Sequence, residues 1–391
     1  MIKRALDLSR IISKQKSVFI FGARGTGKTH LVQRSLPKGS LYIDLLESSA
    51  FQRFLVDPSL FFKEVEYALS KNKRSLTVAI DEVQKLPGLL DEVHRLIEMH
   101  KPKLSFVLSG SSARKLKRGG ANLLAGRALS KNLYPFSSLE LDLNLDRVLQ
   151  LGSLPHVYLE EEFEVPSLES YVTTYLKEEI QQESIVRRLE RFSRFLELAA
   201  QLNGEPIQFS KLKSSVNVSH NTIADYYSVL TDTLIANRID GWSESVKRQL
   251  LQSPKYYLFD CGVLNALNGE LRTKLKANTF RYGRLFETWI VQEMVHYNSY
   301  LDLGYQFHYW REKQGVEVDI IVSSTRSKPL AAIEIKSSSS PAEKDMRGLL
   351  LFRQEYPKVP LWCFCTTPRA YRQGAIDVLP WKEGLARLKD L

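Results

Sequence analysis

Cysteine and long apolar runs are scarce in this sequence, and each scarcity excludes a class of protein. Three cysteines among 391 residues cannot form the disulfide framework of a secreted scaffold. Cys363 and Cys365 alternate within an apolar run without other Cys or His nearby, so we expect them in a core rather than a metal site. No stretch reaches the length of a membrane helix, and the first residues lack the apolar segment of a signal peptide. We therefore expect a cytoplasmic protein with no membrane partner.

Acidic residues are outnumbered by basic ones, with 44 Asp and Glu against 55 Lys and Arg and a formal net charge of +11. This balance favours a polyanionic partner such as nucleic acid, and DNA is the partner we expect, although charge alone is a weak indication. The hydrophobic content of 43% and the charged content of 25% are those of a globular protein. A chain of this length exceeds one ordinary core, so we expect two or three domains.

A glycine-rich loop near the N-terminus is the feature around which the rest is organised. The loop follows an apolar run at 18–21 and matches G-x-x-x-x-G-K-[ST] over eight residues, Gly22, Ala23, Arg24, Gly25, Thr26, Gly27, Lys28 and Thr29. Such a loop turns backbone N–H groups towards a polyphosphate at a helix N-terminus. The pattern predicts a nucleotide site in which Lys28 contacts the β- and γ-phosphates and Thr29 ligates Mg²⁺. A plain glycine-rich turn is the alternative.

Strands and helices alternate after this loop. Apolar runs at 41–45, 76–80 and 104–108 predict strands, and segments with helical spacing lie between them. This alternation is typical of a parallel sheet covered on both faces, in which ligands bind at the carboxyl ends of the strands. The glycine loop, Asp81 with Glu82, and the hydroxyls at 109–112 all fall at such ends.

The polar residues at these strand ends suit phosphate chemistry. Asp81 can hold Mg²⁺ through water, and Glu82 can polarise the water that attacks a γ-phosphate. A solvated strand end is the alternative for both, but the loop upstream favours the functional interpretation. Ser109 can hydrogen-bond the γ-phosphate or simply form a turn. Arg127 is a candidate for stabilising charge in the transition state, and an exposed structural arginine is the other interpretation.

These motifs, together with Leu-Ala-Gly-Arg and Leu-Tyr-Pro-Phe-Ser in the stretch at 124–139, resemble the prokaryotic AAA-type ATPases. In that group the ATPase module precedes a C-terminal domain of unknown function, DUF4143. The resemblance implies an α/β fold of the additional-strand P-loop class, ATP with Mg²⁺ as cofactors, and a possible ring or other homo-oligomer. It specifies the ATPase class well and the biological role poorly.

The middle of the chain is predicted to be helical. A long helical region at 170–201 is followed by a helix-turn-helix cadence, with helices at 209–215 and 220–231 and a wing strand at 234–239. Ser219 is the expected N-cap of the second helix. The pattern favours a winged helix. Its second helix exposes His220 and Asp225 rather than Lys or Arg, so DNA binding and a packing role both stay open.

The C-terminal third carries a second constellation of charged residues. An amphipathic helix at 282–291 carries Glu287, a strand at 316–322 carries Asp319, and a strand at 331–336 carries Glu334 and Lys336. Period-two geometry puts Glu334 and Lys336 on one side of their strand, and a hairpin near residue 326 brings Asp319 beside them. Carboxylates and a lysine in an otherwise apolar sheet are costly without a function or a partner.

This arrangement resembles the PD-(D/E)xK nuclease superfamily, with Val318 where that family often has proline. The resemblance implies that Asp319 and Glu334 hold Mg²⁺, that Lys336 orients or activates the nucleophile, and that Glu287 completes the metal or water shell. A structural salt bridge in a nuclease-like fold without activity is the alternative. The string at 282–338 also resembles the domain that accompanies the AAA-type ATPases.

Together these patterns predict three domains, with a P-loop ATPase at 1–150, a helical and winged-helix segment at 151–250, and an α/β nuclease-like domain at 251–391. The predicted function is ATP hydrolysis coupled to action on nucleic acid through a metal-dependent site. The alternative is a nucleotide-controlled switch or assembly ATPase whose C-terminal domain binds without cleaving. A P-loop kinase of a small molecule fits less well, because long domains follow the loop and no substrate lid is evident.

Overall fold

The computed structural model describes residues 2–72, 75–112, 114, 116, 124, 126–176, 189–216, 218–243, 245, 252–312, 315–325 and 327–391. The chain divides into two compact units. The first comprises Met1–Phe136 and Val229–Ile235, and the second comprises Ser137–Ser228 and Ala236–Leu391.

The first unit contains a five-stranded parallel sheet. Its strands are β1 (Ser17–Phe21), β2 (Leu41–Asp44), β3 (Leu76–Asp81), β4 (Leu104–Gly110) and β5 (Ala128–Asn132). Their order across the sheet is β2-β3-β4-β1-β5, and every pair is parallel. Strand β4 therefore lies between the strand before the glycine loop and the strand that ends in Asp81. That insertion is the additional strand of the predicted P-loop class, so the α/β prediction is confirmed.

Helices cover this sheet because its strands are buried on both faces. β1, β3 and β4 are buried along their whole lengths, as expected of central parallel strands. The helices are α1 (Leu8–Ser13), α2 (Lys28–Ser35), α3 (Ser48–Val56), α4 (Ser59–Lys71) and α5 (Leu89–His100), with a short 3₁₀ turn at Val83–Lys85. Phe54, Phe61 and Phe106 form an aromatic group within the core between sheet and helices.

A helical segment begins the second unit. Its helices are α6 (Leu145–Leu151), α7 (Pro155–Tyr158), α8 (Glu164–Ser170), α9 (Leu189–Gln201), α10 (Phe209–Val216) and α11 (His220–Asp232), with a π-helical turn at Tyr171–Tyr175. The end of α11, from Val229 onward, is counted with the first unit. The two helices predicted at 209–215 and 220–231 are present as α10 and α11. Ile223, Tyr226 and Leu230 of α11 are buried as expected, while His220 and Asp225 are exposed. Residues 177–188 of the long predicted helix and Asn217 of the predicted turn lie outside the described residues.

A mixed eight-stranded sheet forms the rest of the second unit. Its strands are β6 (Ala236–Gly241), β7 (Lys255–Leu258), β8 (Gln306–Arg311), β9 (Glu317–Thr325), β10 (Lys328–Lys336), β11 (Leu361–Cys365), β12 (Tyr371–Gln373) and β13 (Ile376–Pro380). Their order is β12-β13-β11-β10-β9-β8-β6-β7. The predicted wing strand is thus present as β6, but it pairs with β7 and β8 inside this larger sheet. The winged-helix assignment stays a prediction, as do the three domain boundaries.

Four further helices accompany this sheet, α12 (Cys261–Leu267), α13 (Phe280–Tyr300), α14 (Arg347–Glu355) and α15 (Trp381–Arg387), with 3₁₀ turns at Glu343–Met346 and Leu388–Asp390. Cys363 and Cys365 are free and buried in the core with Leu349 and Phe352 of α14, so their predicted place is confirmed. Among the described residues no helix is long and apolar enough to cross a membrane.

Candidate functional sites

The glycine loop has the backbone that its sequence predicts. Gly25 and Gly27 have φ angles of 83° and 90°, in the left-handed region that favours glycine. A Cβ at Gly22 would lie 2.4 Å from the Leu133 carbonyl oxygen, so no larger residue fits there. Helix α2 begins directly after the loop at Lys28. The buried Lys28 ammonium donates to the carbonyl oxygens of Gly22 and Ala23 at 2.8 and 3.2 Å, so its positive charge lies against the loop backbone.

Asp81 accepts most of the hydrogen bonds that connect the elements of this site. It ends β3, is fully buried, and accepts the Thr29 hydroxyl at 2.5 Å and the Tyr42 hydroxyl at 3.0 Å on Oδ2. Its Oδ1 accepts the Ser109 hydroxyl and the Glu82 backbone N–H. Both carboxylate oxygens are therefore hydrogen-bonded, from α2, β2, β4 and the turn after β3. Burial, followed by the negative charge of Asp81, raises the pKa of Tyr42.

Glu82 stands next to Asp81 in an unusual backbone conformation. Its φ of 57° is left-handed, which is uncommon for a residue with a side chain. Its carboxylate accepts the Gln84 side-chain amide, which also donates to the Ser111 hydroxyl at 3.1 Å. The predicted water-activating residue is thus connected to the end of β4.

Arg127 is placed apart from this network. Its guanidinium is ion-paired with Glu98 of α5, with 2.5 Å between Nε and Oε1, and its side chain is one-third exposed. Arg24, also predicted at the site, is exposed in the loop. The transition-state role of Arg127 stays a prediction.

Three residues at this site were missed by sequence reasoning, namely Arg4, Tyr42 and Gln84. Arg4 donates to the carbonyl oxygens of Thr26 and Tyr134 at 2.7 and 2.6 Å, so it braces the glycine loop. No sequence pattern singles out an arginine so far from the loop. Tyr42 could have been found, because it lies two residues before the end of the strand next to β3.

The second constellation is assembled in the C-terminal sheet. Strands β9 and β10 are antiparallel, with Ile320 paired to Ile333, so Asp319 and Glu334 are neighbours across the strands. Asp319 accepts the Ile335 backbone N–H at 2.8 Å on Oδ2. The Lys336 ammonium lies 2.5 Å from Glu334 Oε1 and 4.0 Å from Asp319 Oδ2. The structure therefore brings Asp319, Glu334 and Lys336 together, as the hairpin prediction requires.

These charges are incompletely compensated. Glu334 is buried, and its Oε2 has no hydrogen-bond partner among the residues that the structure describes. Burial and then the negative charge of Asp319 raise the pKa of Glu334 well above its usual range. Burial would lower the pKa of Lys336, but the charges of Asp319 and Glu334 outweigh it and raise that pKa. The pKa values of Glu334 and Lys336 therefore depend on the charges of their neighbours in this cluster.

Helix α13 supplies Glu287, and strand β7 supplies its hydrogen-bond partner Tyr257. The Tyr257 hydroxyl donates to Glu287 Oε1 at 2.7 Å, and burial followed by the charge of Asp319 raises the pKa of Glu287 to about 7. Two residues before Tyr257, the buried Lys255 ammonium lies 2.9 Å from Glu317 Oε2. Sequence reasoning missed Lys255 and Tyr257, because a four-residue strand gives little periodic signal.

The donor set bears on whether this site fits a metal. In the part of the chain that the structure describes, no group of three or more His, Cys, Asp or Glu is arranged to hold one. Asp319 and Glu334 are adjacent across β9 and β10, and Glu334 Oε2, which lacks a hydrogen-bond partner among the described residues, is an atom that suits a cation. Two protein carboxylates with water are a common ligand set for Mg²⁺, so these residues fit the ion with water completing its shell.

Comparison with known families finds three successive matches along the chain. Residues 14–141 match an AAA domain, residues 143–276 match a domain of unknown function (DUF8612), and residues 282–383 match a domain of unknown function (DUF4143). The chain therefore carries an AAA domain followed by a C-terminal DUF4143 domain, which confirms both parts of that predicted resemblance.

Similar proteins include two described as uncharacterized, Rv2008c of Mycobacterium tuberculosis and Mb2031c of Mycobacterium bovis. Each is 26% identical over 355 residues, which is 89% of this chain and 76% of the relative. Similar solved structures include the Aeropyrum pernix Orc1 protein in complex with DNA (13% identity, 67% of this chain, 90% of that chain, TM-score 0.31) and C. elegans PCH-2 (18%, 43%, 41%, 0.27). These TM-scores are too low to support an argument.

Proposed function

We propose that the chain hydrolyses ATP in its AAA domain and acts on nucleic acid through a metal-dependent site in its C-terminal unit. The match to an AAA domain supports ATP binding and hydrolysis, and P-loop NTPases use Mg²⁺ at the phosphates. The observation that carries the ATPase proposal is Asp81, which is hydrogen-bonded to the helix that starts in the glycine loop and to the adjacent strand.

Within this proposal the residues of the first unit have distinct tasks. The loop N–H groups and Lys28 bind the phosphates, and Thr29 with Asp81 holds the Mg²⁺ shell. Mg²⁺ supplies charge neutralisation at the phosphate oxygens. Glu82 orients and deprotonates the attacking water. The hydrogen bond from the Gln84 side-chain amide holds the Glu82 carboxylate in place. Arg127 of the same or a neighbouring copy stabilises the transition state.

Exchange of Lys28 tests the first site. We expect Lys28→Ala to lower ATP turnover by at least about 100-fold, because the phosphates lose their cation. Lys38→Ala is the matched control, since Lys38 is an exposed lysine in the same unit. Phosphate release measured with both variants decides the matter, and turnover by Lys28→Ala equal to that of the control would refute the assignment.

We further propose that the C-terminal site acts as a metal-dependent phosphodiesterase. In this proposal Asp319 and Glu334 ligate Mg²⁺, Lys336 orients the attacking water, and Glu287, with its pKa near 7, exchanges a proton with it. Metal would place positive charge at the scissile phosphate and its water. The observation that supports this assignment is the buried Glu334 Oε2, for which the described residues supply no hydrogen-bond donor.

Two lysines of the same strand provide the test. Lys336 lies at the end of β10 in the site, whereas Lys328 is exposed at its beginning. Single- and double-stranded DNA and RNA are incubated with parent, Lys336→Ala and Lys328→Ala in Mg²⁺ or Mn²⁺. We expect the cleavage rate of Lys336→Ala to be about 100-fold below that of the parent, and the rate of Lys328→Ala to be unchanged. Cleavage by Lys336→Ala at the parental rate would refute the nuclease assignment.

A second function is favoured by one observation. The ammonium of Lys336 already pairs with Glu334, and the described residues include no group of three potential metal ligands. A nucleotide-controlled switch or assembly ATPase, whose C-terminal unit binds without cleaving, would need no metal there. It predicts slow ATP turnover, a nucleotide-dependent oligomeric state measured by light scattering, and no cleavage with any divalent ion.

A further inference from the structure

A basic cleft lies in the second unit, away from the carboxylates. It encloses about 500 Å³ between the loop that follows α14 and the β12–β13 hairpin. Arg353, Lys358 and Arg372 line it, together with prolines and apolar or small residues. Its described lining includes no Asp or Glu. A concave surface lined by charge of one sign concentrates counter-ions of the opposite sign.

Two of the three cations are available for a ligand. The structure shows no hydrogen bond or ion pair of the Arg353 or Lys358 side chain with any described residue, and both residues are exposed. Arg372 is bound to Asp377, with 2.8 Å between Nε and Oδ1, but its side chain is 72% exposed. Asp377 also pairs with Arg387, which in turn pairs with Glu383, so this network is balanced in charge and the net positive charge of the cleft comes from Arg353 and Lys358.

The cleft is rigidly built where Lys358 emerges. Pro357 and Pro360 flank that residue and fix two φ angles, and Leu361 then enters β11, which is buried. Gly374, on the opposite wall, is left-handed at φ 59°, and a Cβ placed on it would contact nothing within 4 Å. The space beside Gly374 is therefore open, and the backbone of this wall borders the cleft without filling it.

The cleft has a defined position relative to the acidic site. Strands β10 and β11 are parallel, with Ala332 opposite Leu361 and Lys336 opposite Cys365. Leu361 lines the cleft, so cleft and Lys336 lie at opposite ends of this strand pair, about 13 Å apart along the backbone. A duplex strand carries one phosphate per about 3.4 Å of axis, so roughly four phosphates span that distance.

We propose that this cleft binds the phosphate backbone of a DNA strand whose next phosphates lie at the acidic site. The inference rests on the proposed nucleic-acid function and names the place where the substrate is held. Arg353 and Lys358 contact phosphate oxygens, Arg353 with its planar fork and Lys358 as a point charge. Such contacts position the strand and do not read its sequence.

Salt dependence of binding tests the cleft without any cleavage. The full chain, in EDTA, is titrated against a fluorescent DNA duplex at several NaCl concentrations, and anisotropy gives the observed binding constant. We expect R353A/K358A to reduce the slope of log K against log[salt] by about 2, since each lost phosphate contact removes about 0.9. The K344A/K389A pair is the matched control, because it lowers the net charge equally and neither residue lines the cleft. Thermal melting checks that both pairs fold, and R353E/K358E should weaken binding further.

The outcomes separate the cleft from the nuclease proposal. Equal salt-dependence slopes for R353A/K358A and K344A/K389A would refute DNA binding by the cleft, even if the loss of cleavage in Lys336→Ala supports the nuclease assignment. A slope lost only in the cleft pair supports it, even if no variant cleaves DNA. A parent that binds polyglutamate but not DNA, and loses this in R353A/K358A, would show that the cleft serves an acidic protein and would refute our assignment.

Discussion

Asp81 and Glu334 are both buried carboxylates at a candidate site, yet their surroundings differ. Asp81 receives hydrogen bonds on both oxygens from three hydroxyls and a backbone N–H, all of them neutral donors. Glu334 has a charged partner on one oxygen and, within the described part of the chain, no hydrogen-bond partner on the other. A full set of neutral donors stabilises a negative charge without cancelling it, whereas an orphaned oxygen raises the energy of the ionised form.

This difference distinguishes a site whose hydrogen bonds are already formed from a site that would be stabilised by binding a cation. The nucleotide site is already hydrogen-bonded around Asp81, so it needs little rearrangement to receive a phosphate shell. The acidic site keeps an unsatisfied acceptor and raised carboxyl pKa values, which a cation would relieve while releasing protons. Removing charge should therefore harm the first site and relax the second.

The largest effect is expected from Asp81→Asn. The amide cannot accept on both sides, so the bonds from Thr29 and Ser109 cannot both survive. We expect ATP turnover to fall by at least about 100-fold and the free energy of unfolding to fall by about 1–3 kcal/mol. Phosphate release and urea denaturation measure the two. Unchanged stability would show that the Asp81 network is not preformed.

Glu334→Gln should act in the opposite direction on stability. Because the pKa of Glu334 is raised, its ionised form disfavours the folded state above the usual carboxyl pKa, and glutamine removes that cost. Without metal, we expect a gain of about 1–3 kcal/mol in the free energy of unfolding at pH 8 and little difference near pH 4. Denaturation at both pH values tests this. A loss at pH 8 would contradict the comparison.

Asp260 provides an intermediate case, because it is buried and hydrogen-bonded yet has a raised pKa. It caps α12 through the Val263 N–H, accepts the Ser153 N–H at 2.7 Å, and has its pKa raised by burial to about 6. The unfolded chain releases this proton first, so its contribution to the free energy of unfolding falls as pH rises from about 4 to about 6, by up to about 3 kcal/mol.

Asp260→Asn isolates that contribution. The amide loses one acceptor and so carries a constant penalty, but it does not titrate. The difference in unfolding free energy between parent and variant should therefore narrow as pH rises through this window and stay constant above it. A difference that is independent of pH would show that Asp260 titrates as an ordinary carboxyl.

The smallest effect is expected from Tyr42→Phe. It removes one of the donors to Asp81 and leaves the other three. We expect a loss of about 0.5–1.5 kcal/mol in stability and a few-fold lower ATP turnover. Tyr67→Phe is the matched control, since Tyr67 is 67% exposed in the same unit. A loss as large as that of Asp81→Asn would mean that the four donors do not act independently.

The sequence was informative where chemistry requires a local pattern. The glycine loop, the strand that ends in Asp81, and the hairpin with Asp319, Glu334 and Lys336 each lie in one short segment, so spacing predicts their geometry. Partners from distant segments could not be predicted in this way. Arg4 reaches the loop across the fold, and Lys255 with Tyr257 comes from a short strand whose place in the sheet depends on tertiary packing. The strand predicted as a wing was located correctly, but local periodicity does not reveal which sheet a strand joins.

The position of β6 and β7 has a practical consequence for anyone dissecting this protein. These two strands precede residue 282, where the DUF4143 match begins, yet they extend the same sheet beyond β8. A fragment that starts at 282 would expose the flank of β8 as an unpaired rim and lose the lysine and tyrosine that lie beside the acidic residues. We expect such a fragment to self-associate, whereas one that starts before β6 keeps β8 paired, ends the sheet at the native edge strand β7, and retains the full set of charges.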